Sequence, residues 1–196
     1  MNRSGVLLVL VGLLLAGGVV VASGAYLPFV SAPGYQPTAT DTATATAGST
    51  AAGGDGTASP TEDRYDHATV TVLDANGTEL GSVRVAVADT TAKRYTGLSK
   101  TESLPEDRGM LFTYDAEGNH TYVMRDMSFG IDIVYIDANR TIRTIHHAPE
   151  PVEGEDGGDQ RYPGEGQYVL EVNYEWTTRH GVEPGDRVRI EGLENG

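Results

Sequence analysis

The chain has 196 residues, 28 of them acidic and 14 basic, for a formal net charge of −14, and it has no cysteine. Disulfides, thiolate metal sites and cysteine nucleophiles are therefore excluded, and the acidity argues against nucleic acid as a partner, because phosphate binding needs basic patches. Only Lys93 and Lys100 among the basic residues are lysine; an acidic, lysine-poor surface suits a halophilic, haloarchaeal-type source, since screening in multimolar salt reaches only about 3 Å or less and carboxylate repulsion is tolerated.

Residues 1–30 read as a membrane anchor. Gly5 to Ala22 carries no charged or strongly polar group, and as a helix it spans about 27 Å, close to the thickness of a bilayer core. Arg3 and the amino terminus are the nearby positive charges, which favours the N-terminus inside and the rest outside the cell. The alternative is a signal peptide cleaved near Ser23-Gly24-Ala25, leaving a secreted protein. Residues 31–63 are rich in Thr, Ala, Gly and Ser with almost no large apolar side chain, so they read as a disordered linker that cannot bury enough surface to order itself.

Residues 64–196 read as a β-rich domain. Ala68–Leu73 and Val83–Ala88 alternate as strands around the turn Asp74-Ala75-Asn76-Gly77, and Ile131–Ile136 and Thr141–His146 do so around Asp137-Ala138-Asn139-Arg140. Tyr168–Asn173 and Arg187–Ile190 are further strands. Thr90–Thr96 suits a short helix capped by Asp89 or Thr90, and Thr177–His180 a second single turn. Many short strands with few helical residues predict a β-sandwich or a small barrel-like domain. Pro149 to Gly166 is acidic and glycine-rich, and reads as a long mobile flap.

With these elements placed, a set of offsets stands out: Arg94-x-x-Gly97-Leu98, Leu104, Gly109-Met110-Leu111-Phe112, Tyr122-Val123-Met124-Arg125-Asp126, Ile131-Asp132-Ile133, Tyr168 to Asn173, and Gly181-Val182-x-x-Gly185-Asp186. Across roughly Val83 to Val188 the pattern resembles the domain of unknown function 192 family. The resemblance implies a β-sandwich-like domain, commonly exported or membrane-anchored, with no established activity. Ser99, Val123, Asp126 and Gly130 stand where the family usually has methionine, tryptophan, asparagine and proline, and Tyr174-Glu175-Trp176 replaces a small pair. A pocket shared with the family would here have a less aromatic floor and a more acidic rim.

Asp132 and Glu171 each sit between apolar neighbours in a strand. A buried carboxylate needs a partner, and Arg94 or Arg125 is the expected one for Asp132. An Arg94–Asp132–Glu171 cluster fits either a buried structural ion pair or a ligand cleft. Arg94, Asp132, Glu171, Met124 and Arg125 are the candidate ligand-binding residues. Met110, Met124 and Met127 raise a Cu(I) reading, but their context reads as core packing; His146 and His147 are adjacent in a strand and point to opposite faces, so no metal site and no cofactor is expected. No hydrolase, phosphate-loop or metalloprotease motif is present. Asn76, Asn119 and Asn139 begin Asn-x-Ser/Thr triplets and are candidate glycosylation sites.

Three functions remain open on these residues. One is a membrane-anchored extracytoplasmic module binding a small ligand or an envelope component. Another is an extracytoplasmic hydrolase using Asp132 and Glu171 as paired carboxylates. The last is a purely structural envelope protein.

Overall fold

The computed structural model describes residues 34–37 and 65–193. Seven strands alternate along the chain with two short helices: β1 (His67–Leu73), β2 (Glu79–Ala88), α1 (Thr91–Thr96), β3 (Arg108–Val123), β4 (Ile131–Ile136), β5 (Ile142–Ala148), β6 (Arg161–Asn173), α2 (Trp176–His180) and β7 (Arg187–Glu191). They form one sheet in the order β5-β4-β6-β3-β2-β1-β7. Neighbours are antiparallel except β2 and β3, whose parallel pairing requires a crossover, and α1 lies within it.

The sheet curls into a half-barrel. Its two edge strands meet at one end: Thr141 bridges Arg187, Ile142 N–H donates to Asp186 O (2.9 Å), and Val188 N–H donates to Arg140 O (2.8 Å). Of the two architectures the sequence leaves open, the barrel-like one is therefore realised and the two-sheet sandwich is not.

Strand periodicity divides the apolar residues between two faces. One face collects side chains from all seven strands, among them Val70, Val85, Leu111, Val134, Leu170 and Val188, with Trp176 of α2 packed in. A cluster fed by every strand lies on the concave side. The other face gathers Ala86, Met110, Phe112, Ile133 and Val169 and is covered by connecting segments through Leu98, Leu104 and Met124. Fully burying each such Val, Leu or Phe contributes about 1.5–3 kcal/mol, so both faces stabilise the sheet.

A local signal explains the start of α1, and a distant one the start of α2. Thr90 Oγ1 accepts from Lys93 N–H (3.2 Å) and caps α1, as the sequence predicts, and Gly97, at φ 50°, ends it. α2 has no cap of its own, since Glu175 at the cap position makes no side-chain bond; Asp132 of β4 supplies one instead.

Three expectations change. First, the sequence reads Pro149 to Gly166 as one flap, but β6 already begins at Arg161. Its first half pairs with Gly118–Val123, because β3 runs on beyond an irregularity after Thr113 and offers it a partner. Gly164 permits the close packing, as a Cβ there would lie 2.5 Å from the Tyr135 ring. Second, part of the expected linker packs on the domain. Tyr35 is buried edge-to-face against Tyr65, with ring centres 5.8 Å apart. Thr101 Oγ1 donates to Tyr35 O (2.5 Å), and Gln36 Nε2 donates to Lys100 O. Tyr35 is the lone aromatic side chain of residues 31–63, and its ring supplies the apolar surface that the Thr/Ala repeat lacks. Third, Asp132 is not paired with Arg94 or Arg125. The expected anchor at residues 1–30 and the linker at 38–63 lie outside the described residues. Among the described residues no helix is long and apolar enough to cross a membrane.

Candidate functional site

β6 places Glu171 between Leu170 and Val172, whose side chains enter the concave core. Alternation therefore turns Glu171 to the outer face, beside Val169. There it forms the floor of a cleft of about 440 Å³ whose walls include Phe112, Tyr114, Tyr122 and Ile131, and whose rim carries Arg94 and Arg125. Glu171 is 5% exposed. Among the described residues it has no hydrogen-bond or ion-pair partner. Burial alone pushes its carboxyl up to about 8, so at neutral pH the uncharged acid prevails.

β3 builds the wall. Tyr114 and Tyr122 join their hydroxyls at 3.0 Å, and burial holds both phenols above their usual range, Tyr122 by much more. The Tyr114 ring stacks on His120 (3.7 Å, 15°) and carries the Arg94 guanidinium 4.9 Å from its centre. His120 Nε2 lies 3.1 Å from Gly166 O. Behind them Tyr135 donates its hydroxyl to Tyr162 O (2.7 Å).

α1 and the segment after β3 provide the rim. Arg94 Nη1 donates to Asp89 O and to Thr113 O, both at 2.7 Å, which fixes the side chain between helix and sheet. No carboxylate among the described residues pairs with it. Arg125 lies 4.2 Å over the Tyr95 ring, donates through Nη2 to Tyr95 O (2.9 Å), and meets the exposed Asp126 carboxylate loosely at 3.7 Å. A cleft with an uncharged acid at its base and two guanidiniums at its mouth can donate and accept hydrogen bonds at the base and donate them at the mouth.

Of the sequence candidates, Arg94, Arg125 and Glu171 come together in this cleft. Asp132 does not. It is fully buried on the opposite face, where its carboxylate accepts from Glu175 N–H (2.9 Å), Thr177 N–H (2.9 Å), Thr177 Oγ1 (2.6 Å) and His147 Nδ1 (2.7 Å). These are structural bonds that hold the start of α2. The Asp132–Glu171 pair needed by a two-carboxylate hydrolase is thus split by the sheet itself. Met124 is also outside the cleft, buried in the outer core; Met127 lines the cleft instead. Among the described residues no three His, Asp or Glu side chains gather to hold a metal ion. Asn76 and Asn139 are exposed in their hairpin turns, and Asn119 is exposed at the edge of the cleft.

Sequence reasoning missed Tyr114, His120 and Tyr122. The signal was a set of rings at alternate positions of β3, Phe112 and Tyr114 at the start of its irregularity and His120 and Tyr122 beyond it. The interruption between Thr113 and Gly118 concealed the shared face.

No curated protein matches this chain. Two solved structures share its fold. A proposed transcription regulator from Sinorhizobium meliloti 1021 is 29% identical, covering 66% of this chain and 97% of that one with a TM-score of 0.59. A protein of unknown function from Novosphingobium aromaticivorans DSM 12444 is 28% identical, covering 62% of this chain and 83% of that one with a TM-score of 0.55. The profile of the domain of unknown function 192 family, described as uncharacterized ACR, matches residues 71–190. The chain belongs to the domain of unknown function 192 family.

Proposed function

We propose that the chain is a small-ligand-binding module, tethered to a membrane by residues 5–22 and working outside the cytoplasm. The observation that carries the binding reading is Glu171: a carboxyl that is 5% exposed and lacks a protein partner among the described residues, at the base of a cleft. Leaving a buried polar group unsatisfied costs about 1–3 kcal/mol. A fold maintained for structure alone gains nothing from such a group, whereas a ligand that bonds to it recovers that energy on binding. The tether rests on the uncharged run Gly5 to Ala22 preceded by Arg3. Nucleic acid is not favoured as the ligand, because a chain of net charge −14 repels a phosphate backbone.

The test is a thermal-shift screen of the full chain, in detergent and high salt, against a broad library of small polar metabolites. Binders are expected, and Glu171→Gln should abolish their shift while leaving the unliganded melting temperature equal or higher. A blank screen, or shifts indifferent to Glu171→Gln, refutes the reading. For the tether, protease added to intact cells should remove the domain, and recovery of intact chain in the cytosol would rule the tether out.

A further inference from the structure

We infer that the cleft takes a small zwitterion of amino-acid type, with its amine seated against Glu171 and its carboxylate held at the rim by Arg94 and Arg125. This rests on the reading of the cleft as a ligand site and names the class of ligand.

The floor is suited to a cation. Glu171 receives no hydrogen bond from the described protein, so its carboxyl is free to take donors that a ligand brings into the cleft. An ammonium brings three donors and the complementary charge. The surrounding surface is aromatic: Phe112, Tyr114 and Tyr122 line it, and Phe112 and Tyr122 meet edge-to-face at 4.9 Å. Ring faces attract cations most strongly where water is excluded.

The rim is suited to an anion. Arg94 stacks on Tyr114 and hydrogen-bonds through Nη1 alone, which leaves Nε and Nη2 without a hydrogen-bond partner among the described residues. Arg125 is anchored through Nη2, and its one acidic neighbour, Asp126, is exposed at 3.7 Å. Planar guanidinium edges match a carboxylate in two-point geometry. With one charged end at the floor, the other at the rim and about 440 Å³ between them, the ligand is a small molecule carrying both charges.

The two ends predict a pH signature. Three phenols interact with Glu171: Tyr114 and Tyr122 from β3 and Tyr135 from β4. His120 of β3, Arg94 of α1 and Arg125 share the cleft. Burial raises all three phenols, so they stay protonated while Glu171 titrates at about 8. An ammonium ligand needs the ionised carboxylate. Binding below that point therefore expels a proton, and affinity should fall about tenfold for each pH unit below about 7. A ligand that instead accepted a hydrogen bond from the protonated acid would weaken above pH 8.

The experiment uses the full chain in detergent with three matched probe sets: the common L-amino acids, their amides, which keep the ammonium alone, and their N-acetyl derivatives, which keep the carboxylate alone. Calorimetry of the strongest binder in two buffers of different ionisation enthalpy measures proton release, and His120→Gln reports that imidazole's share. At least one amino acid should bind, with its amide and N-acetyl forms weaker by about tenfold or more, the loss typical of one charge-assisted contact. Glu171→Gln should weaken the amino acid and its amide but not the N-acetyl form; Arg94→Gln should weaken the amino acid and its N-acetyl form but not the amide. An amide or N-acetyl form that binds as well as its parent, or affinity that declines as pH rises to 8, overturns the zwitterion while the cleft remains a ligand site. No binding from any set also overturns it, and the ligand reading falls with it only if the broad screen is blank as well.

Discussion

Asp132 and Glu171 are neighbours across the β4–β6 ladder yet stand on opposite faces of it. Asp132 pairs in register with Val172 and Ile133 with Glu171, and alternation sends the two carboxylates in opposite directions. One is saturated by four donors; the other is bare. The same residue type in the same kind of strand thus serves as a structural brace on one side and an open site on the other.

Glu171 should make the domain less stable as pH rises. Burial pushes its folded carboxyl up to about 8 from the ordinary 4.5. Between those limits the unfolded chain has lost the proton and the native chain has kept it. The stabilisation is therefore complete below about pH 4.5, declines by up to about 1.4 kcal/mol per pH unit, and is gone above pH 8. Denaturant melts of the wild type and Glu171→Gln from pH 5 to 8.5 check this. The slope should be shallower in the variant, and identical slopes would refute the assignment.

Asp132 variants should lose stability without touching the cleft. Asp132→Ala strands the Glu175 and Thr177 amides and the Thr177 hydroxyl, and should cost about 3–5 kcal/mol, whereas Asp132→Asn retains part of the network and should cost about 1–3 kcal/mol. In a double-mutant cycle, Asp132→Asn with Thr177→Val should lose less than the sum of the single losses. Ligand affinity measured on the folded fraction should equal that of the wild type.

Tyr35 should behave as a core residue of the domain. Tyr35→Ala removes a ring that is 1% exposed and should cost about 3–5 kcal/mol, the range for truncating a buried aromatic side chain. Comparing urea midpoints of fragments beginning at Gly34 and at Tyr65 gives a second measure. Equal midpoints would show that the strap contributes nothing.

Dilution of salt should lower the melting temperature. Residues 64–196 carry 13 basic and 24 acidic side chains, and their mutual repulsion grows as the screening length increases from about 3 Å at 1 M to about 10 Å at 0.1 M. Melts in a KCl series measure this. A melting temperature flat from dilute buffer to multimolar KCl would remove the case for a halophilic protein.

Both hairpins, both helices and the cap at Thr90 were legible because each is written in local residues: an Asp-Ala-Asn turn between alternating runs, or a threonine before a polar segment ended by glycine. The first half of β6 was not, since Pro163, Gly164 and Gly166 resemble loop residues and become a strand only because β3 offers a ladder from far along the chain. The same separation decided the site. Glu171 and Arg94 could be nominated from their neighbours, but Asp132 looked equivalent to Glu171 until its donors, at residues 147 and 175–177, folded against it. Tyr35 was not legible: it is one aromatic in a polar stretch read as linker, and nothing nearby in sequence announced Tyr65 as its contact.

The first strand of the domain is paired with the last: Val70 lies opposite Ile190, and Val72 opposite Val188. A chain emerging from its N-terminal end therefore presents β1 with an open edge until more than a hundred further residues have followed. Closing so long a loop before any reward makes folding slow. Meanwhile Val70 and Val72 wait without their final cover, on a strand edge open to other chains. Folding of this domain is thus set by the arrival of its last strand, and a chain interrupted after Gly185 should accumulate as aggregate rather than as a smaller native domain.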